Sequence, residues 1–185
     1  IMSSALTRKE IVKEIIKCGK DSKYFINNYA KISHPMHGLI PFKTYPFQDD
    51  LLEDFDDYRF SVILKGRQLG ISTVTAAYIC WLLLFYRDKN VLVIATKFQT
   101  AANLVKKVKA MMLNLPPWMR IASIKIDNRT SFVLTNGSEV KASLHQTVLS
   151  TGSTKPMSKQ SPESMTFIQL TYLGMSTQKE TKNGL

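Results

Sequence analysis

The sequence predicts an α/β fold with a largely parallel β-sheet, and two observations indicate this fold class. Short apolar runs typical of buried strands alternate along the chain with longer stretches of helical periodicity. Two of these runs, residues 59–64 and 90–95, are each followed closely by a predicted helix. Because such alternation is typical of helices packed on a parallel sheet, we expect the two runs to be neighbouring strands joined by a right-handed crossover.

The N-terminal 44 residues are predicted to form a helical lead-in to this domain. Residues 7–18 place apolar side chains at helical spacing between charges, and residues 22–30 continue the pattern. Residues 31–46 contain several prolines and a glycine. We therefore expect a loop with short extended pieces in that segment.

Residues 45–142 are predicted to form the α/β domain. Helices are predicted over residues 48–55, 71–86 and 98–114, the last with lysines on one face. Beyond the two central strands, further strands are predicted over residues 121–126, 131–134 and 139–142. The last two strands flank Asn136-Gly137, which is a strong signal for a hairpin turn.

The composition restricts the class of protein. The formal net charge is +11 and the isoelectric point is about 9.7. This charge suits a polyanionic partner such as DNA, RNA or an anionic membrane surface, and a basic surface without such a partner is the alternative. The most apolar run, residues 74–86, is shorter than the roughly 20 residues of a membrane-spanning helix. Cys18 and Cys80 form no CxxC pair, and we expect both to be reduced thiols.

The most informative stretch is the turn between the first apolar run and the long helix, Gly66-Arg67-Gln68-Leu69-Gly70-Ile71-Ser72-Thr73. Backbone N–H groups at a helix N-terminus attract anions, and glycines let the backbone approach phosphate oxygens closely. Ser72 is placed to ligate magnesium. Ile71 stands where a standard phosphate-binding loop has lysine, so Lys65 and Arg67 are the candidates for the missing cation. A tight turn without a ligand is the alternative.

Residues 65–73 (KGRQLGIST) resemble the variant Walker A loop of tailed-phage terminase large subunits, the motors that drive DNA into viral shells. In that family a basic residue at the start of the loop can do the work of the usual lysine, and Lys65 occupies this position. Upstream, residues 45–48 (YPFQ) resemble the family's adenine-contacting motif. With weaker similarities elsewhere, the resemblance covers about residues 20–142.

The resemblance implies a P-loop NTPase-like three-layer fold with ATP and Mg²⁺ as cofactors. The implied nucleotide-binding residues are Lys65, Gly66, Arg67, Gln68, Leu69, Gly70, Ser72, Thr73, Gln48 and Phe47, with Ser72 also on magnesium. Gln48 would contact the adenine edge, and Phe47 or Tyr45 would pack nearby. The resemblance implies that the protein acts in the host cytoplasm and has no membrane partner. The implied partners are double-stranded viral DNA, a portal protein, a small terminase subunit and further copies of the chain in a ring.

The sequence departs from the family after the hairpin. The family continues with an apolar strand ending in Asp-Glu, which holds magnesium and activates the attacking water. The acids that follow Glu139 here are Glu163 and Glu180, and neither follows an apolar strand. We also expect this chain to contain no counterpart of the family's nuclease domain. We therefore assign no catalytic residue and expect the chain to bind nucleotide weakly and not to hydrolyse ATP.

Residues 143–185 are predicted to be an aberrant tail that is poorly ordered and supplies no strand to the sheet. The tail contains 14 Ser or Thr residues and little apolar periodicity, a composition that disfavours a packed core. A frameshift or intron read-through is one explanation. One choice of codons for residues 143–148, read from its third base, encodes Thr-Ser-Pro-Asp-Ser, which is similar to the family at this point.

Two other classes of function remain open at the level of sequence. A helicase-like ATPase fragment would share the glutamine motif and the phosphate loop, although helicases more often keep the loop lysine. A non-enzymatic nucleic-acid-binding module would use the lysines on and before the helix at 98–114 as phosphate contacts. Those lysines are Lys97, Lys106, Lys107 and Lys109. The alternative for them is an ordinary solvated helix face.

Overall fold

The computed structural model describes residues 7–144, except 35, 59, 60 and 67, together with residues 165–170. The helices are α1 (Arg8–Lys20), α2 (Ser22–Tyr29), α3 (Pro46–Asp57), α4 (Ile71–Phe85) and α5 (Phe98–Leu113). The strands are β1 (Lys31–His34), β2 (Gly38–Pro41), β3 (Asn90–Ala95), β4 (Ile124–Asp127), β5 (Ser131–Leu134), β6 (Glu139–Leu144) and β7 (Met165–Leu170). The predicted helices are confirmed, with ends that differ by no more than a few residues.

The N-terminal segment folds as a helical lead-in with a small hairpin. Strands β1 and β2 pair antiparallel as a separate two-stranded sheet within the segment predicted as a loop with extended pieces. Helices α1 and α2 join at Asp21, whose carboxylate accepts a hydrogen bond from the Tyr24 N–H at 2.8 Å. This contact satisfies one of the N–H groups that lack an acceptor within the first turn of α2.

The main sheet is mixed, with the strand order β4-β5-β6-β3-β7. Strand β3 pairs in parallel with β6 on one side and with β7 on the other. Strands β4, β5 and β6 pair antiparallel with one another in sequence. The prediction of an α/β protein is confirmed, whereas the prediction of a largely parallel sheet holds for the three strands β6, β3 and β7.

The predicted strand over residues 59–64 is wrong for the part that the structure describes. Residues 61–64 have no strand conformation, and the side chains of Val62 and Leu64 are 100% and 94% exposed. Both hydrogen-bonding edges of β3 are taken by β6 and β7, so β3 has no edge for residues 61–64. The expected right-handed crossover from this run to β3 is therefore also wrong, because it needs a strand at each end.

The prediction that the tail supplies no strand is wrong, because residues 143–144 end β6 and residues 165–170 form a further strand. This segment, β7, pairs with β3 in register from Asn90–Met165 to Ala95–Leu170. It corresponds to the one part of the tail where apolar residues recur, Met-Thr-Phe-Ile-Gln-Leu. The rest of the tail from residue 145 lies outside the described residues, and the proposed frameshift stays a prediction.

Helix α4 is apolar on almost all sides because protein surrounds it on almost all sides. It packs against α5, α2 and α3, and α5 in turn packs on β3 and β6. Trp81 of α4 donates from Nε1 to the Cys18 carbonyl of α1 at 2.8 Å. The Tyr78 hydroxyl donates to the Asp56 carboxylate of α3 at 3.0 Å. These polar contacts fix the long helix, and with it the turn that precedes it.

The turn between β5 and β6 closes the predicted hairpin and also caps α4. Gly137 has a positive φ of 85°, as an Asn-Gly turn requires. The Asn136 amide donates to the carbonyls of Leu83 and Tyr86, at 2.8 and 3.1 Å. The Ser138 hydroxyl donates to the Tyr86 carbonyl at 3.0 Å. The last carbonyls of a helix lack partners within it, so the turn satisfies groups that would otherwise depend on water.

Candidate phosphate-binding site

The candidate site forms around the N-terminus of α4. Gly70 precedes the helix with a φ of 71°, a left-handed conformation that glycine adopts without steric cost. Its carbonyl accepts from the N–H groups of Thr73 and Val74, at 2.8 and 3.1 Å, which begins the helix. The first N–H groups of a helix have no acceptor further back in the same helix and carry the positive end of its dipole. This end of α4 therefore favours an anion.

Gln48 of α3 connects the motif at residues 45–48 to the glycine turn. Its side chain is only 2% exposed. Its Nε2 donates to the Leu69 carbonyl at 2.9 Å, and its Oε1 accepts from the Tyr45 N–H at 3.2 Å. Both polar atoms thus bind the protein's own backbone, and the side chain holds the turn against the start of α3. Contact between Gln48 and adenine, which the resemblance implies, stays a prediction.

Gly70 is required at its position for a second reason besides its φ. A Cβ atom at this residue would lie 2.8 Å from the Gln48 Nε2 atom. This distance is too short for a carbon and an amide nitrogen that already donates a hydrogen bond elsewhere. The glycine therefore allows the turn to pack directly on the buried glutamine.

A cavity of about 500 Å³ lies beside the start of α4. Its lining includes residues of the turn and of the first helical turn: Lys65, Gln68, Gly70, Ile71, Ser72 and Thr73. Lys107 of α5 also lines it. The structure thus brings together two lysines from distant parts of the sequence, two hydroxyl groups and a helix N-terminus.

The predicted loop residues differ in how the structure places them. Lys65 is half-buried and lines the cavity, with its Nζ 3.4 Å from the Gly66 carbonyl. Ile71 is 5% exposed and belongs to the hydrophobic core, which accounts for an apolar residue where a standard loop has lysine. Leu69 is 42% exposed. Arg67, the second predicted cation, lies outside the described residues.

The aromatic residues of the upstream motif lie at the surface beside the turn. The rings of Tyr45 and Phe47 stack nearly parallel, with centroids 5.9 Å apart. Their side chains are 64% and 44% exposed. An exposed aromatic face next to Gln48 is available for stacking with a flat ligand, as the prediction for Phe47 requires, but Phe47 is not among the residues that line the cavity.

The four lysines considered as a nucleic-acid contact surface have different surroundings in the structure. Lys109 forms an ion pair with Asp127 of β4. Lys107 lines the cavity, and Lys106 and Lys97 are exposed. Sequence reasoning recognised Lys107 only as part of this row, because its place in the cavity depends on how α5 packs on α4. A helical wheel of α5 shows its charge but not which loop faces it.

The donor set of the cavity fits a phosphate group better than an isolated metal ion. Lysine ammonium groups and helix N–H groups bind phosphate oxygens. Magnesium prefers oxygen ligands, and the hydroxyls of Ser72 and Thr73 are of that kind. None of the described lining residues is acidic, so an ion here would depend on the phosphates for charge. No group of three or more His, Cys, Asp or Glu among the described residues could hold a metal.

The two cysteines are unpaired and buried, as expected for reduced thiols. Burial raises the pKa of each thiol to about 12. Since the thiolate is the reactive form, neither cysteine is suited to nucleophilic chemistry. Within the described part of the chain, no helix is both long enough and apolar enough to cross a bilayer.

Comparison with solved structures finds a fold similar to that of a bacteriophage large terminase. One solved structure with this fold is the crystal structure of the HK97 bacteriophage large terminase, which matches with a TM-score of 0.54 and 19% sequence identity. The match covers 68% of this chain and 27% of that one, so the chain corresponds to about a quarter of the length of the HK97 protein. At this identity the likeness shows a terminase-like fold alone. No family model matches the chain.

Proposed function

We propose that this chain is the N-terminal, nucleotide-binding part of a phage terminase large subunit and that it binds the phosphates of ATP at the turn before α4. The cavity at that turn carries the proposal, because it joins Lys65 and Lys107 to the hydroxyls and N–H groups at the start of α4. The terminase-like fold supports the same assignment, as does the resemblance of residues 65–73 to a Walker A loop.

Within this proposal, each part of the site has a role. Lys65 would place a positive charge on the phosphates, and the backbone of Gly66 and of residues 68–70 would lie around them. Ser72 would hold the magnesium that accompanies ATP, and Gln48 and Phe47 would contact the adenine base. Magnesium would supply charge neutralisation of the phosphates when bound. The partners proposed for the whole protein are double-stranded viral DNA, a portal protein, a small terminase subunit and further copies of the chain.

The site is proposed to bind ATP without hydrolysing it. Phosphoryl transfer to water needs a group that orients or activates the water, normally a carboxylate or an amide near the γ-phosphate. None of the described residues that line the cavity carries a carboxylate. The sequence of β7, Met-Thr-Phe-Ile-Gln-Leu, contains no acid either. The described lining of the cavity therefore offers groups that suit phosphate binding and no carboxylate that could activate water.

Titration calorimetry of the full chain with ATP, ADP and adenosine tests the proposal. We expect affinity to rise with the number of phosphates, because the cavity recognises negative charge. Lys65→Ala should weaken ATP binding by about tenfold, the effect of losing one charge-assisted hydrogen bond. Lys125→Ala, which removes an exposed lysine of β4, is the control with the same change of net charge and should bind ATP as the parent does.

Two results would contradict the proposal. One is equal affinity of the parent chain for ATP and adenosine, since the phosphates would then contribute nothing. The other is an equal loss of ATP affinity in Lys65→Ala and Lys125→Ala, because this would indicate general attraction to a basic protein. Circular dichroism of both variants establishes that each one is folded.

A further inference from the structure

Lys107 enters the phosphate cavity from an element that the sequence motif does not include. It belongs to α5, which begins 25 residues after the end of the motif at Thr73. The buried neighbours Val105 and Val108, at 2% and 0% exposure, anchor the helix at this point. The backbone of Lys107 is therefore held in place, while its own side chain is exposed and reaches the cavity.

Lys106 differs from Lys107 although the two are adjacent. Both side chains are exposed on α5, but Lys106 is not among the residues that line the cavity. Within the described residues, the ion pairs of α5 involve Lys109 with Asp127 and do not include Lys107. The charge of Lys107 is thus not neutralised by a described carboxylate, and its side chain lines the same cavity as Lys65, Ser72 and Thr73.

We propose that Lys107 is a phosphate-binding residue and that it supplies, from α5, the positive charge that Ile71 cannot supply from the loop. This inference rests on the proposed function. In a standard loop, a lysine at the position of Ile71 reaches the terminal phosphates. Here that position is in the core, and Lys107 provides a flexible four-carbon stem with an ammonium group from a second helix. The ligand class is a nucleoside polyphosphate.

The arrangement has a consequence for which ligands bind best. Lysines on two elements attract the ligand in proportion to its negative charge, and the charge of a nucleotide lies in its phosphate chain. Loss of Lys107 should therefore weaken the binding of ATP more than that of ADP and leave the binding of adenosine unchanged. A bound polyphosphate would also link α5 to the start of α4. Inorganic triphosphate, which has no base, should depend on Lys107 as ATP does.

The test compares Lys107→Ala with Lys106→Ala by titration calorimetry with ATP, inorganic triphosphate and adenosine. The two variants have the same net charge, and their substitutions lie on the same helix. A difference in affinity between them therefore reports whether the lost lysine lines the cavity. We expect Lys107→Ala to bind ATP and triphosphate about tenfold more weakly than the parent, and Lys106→Ala to bind both within about twofold of it. Lys107→Arg keeps the charge and should retain most of the affinity.

Several results would overturn the inference. If Lys107→Ala binds ATP as tightly as the parent chain does, the inference about Lys107 is wrong, but the proposed function stands. Equal losses in Lys107→Ala and Lys106→Ala also overturn the inference, because they show a general effect of charge. A parent chain that binds neither ATP nor triphosphate overturns both proposals. If circular dichroism shows Lys107→Ala to be unfolded, Lys107→Met, which keeps an unbranched apolar stem, decides in the same assay.

Discussion

At the scale of single residues, the contact between Gln48 and Gly70 holds the candidate site together. The glutamine amide is buried and binds the backbone on both sides, at Leu69 and Tyr45. The glycine leaves the room that this contact needs, since a Cβ atom there would lie 2.8 Å from the Gln48 Nε2 atom. A buried residue of one helix thus determines the shape of a turn more than 20 positions away.

Replacement of Gln48 by alanine separates two roles for this side chain. If Gln48 holds the turn, Gln48→Ala should lower affinity for ATP and GTP by the same factor and reduce unfolding free energy by about 1–3 kcal/mol. If it contacts adenine, as the resemblance implies, the variant should lose its preference for ATP over GTP. Because both hydrogen bonds of the Gln48 amide go to the protein backbone, we expect an equal loss of affinity for ATP and GTP. Titrations with both nucleotides measure it, and a selective loss of ATP binding would contradict the positioning role.

At the scale of elements, α1 and α2 are joined by a carboxylate that two tyrosines share. The hydroxyls of Tyr29 and Tyr24 donate to the Glu14 Oε1 atom at 2.7 and 2.8 Å. These hydrogen bonds, that from Tyr29 first, lower the pKa of the Glu14 carboxyl below its ordinary value. The charged form of Glu14 therefore stabilises the packing of the two helices.

The pH dependence of this contact follows from the lowered pKa of Glu14. A carboxyl whose pKa falls on folding stabilises the protein above its unfolded pKa of about 4.3, and this stabilisation is lost as the pH falls through the folded pKa. Glu14→Gln should lower the urea midpoint at about pH 7 and have a smaller effect at about pH 2. An equal effect at both pH values would show that the charge of Glu14 does not contribute.

The elements divide clearly into those that the sequence predicts and those that it does not. The helices and the hairpin at Asn136-Gly137 are predictable because apolar periodicity and turn chemistry are local properties. The partners of β3 are not, since an apolar run such as residues 59–64 looks the same whether it pairs or stays exposed. Strand β7 was missed because its apolar run lies in a Ser- and Thr-rich tail. Lys107 was missed as a site residue because tertiary packing brings it to the loop.

At the scale of the whole molecule, the helix that begins at the candidate site is also a central element of the terminase-like fold. Helix α4 begins at the glycine turn and is fixed along its length by α2, α3 and α5. Its far end is capped by Asn136 and Ser138 of the hairpin. A ligand at the turn would therefore contact a helix that packs against three other helices.

Hydrogen–deuterium exchange of the full chain with and without ATP tests the central claim, that ATP binds at the turn before α4. The account predicts slower exchange in peptides that span residues 65–73, and a smaller decrease around Lys107, because bound phosphates would accept hydrogen bonds from the loop amides. Peptides that span β1 and β2 should not change. Unchanged exchange at residues 65–73 under ATP concentrations that saturate binding, or protection confined to another part of the chain, would contradict the account.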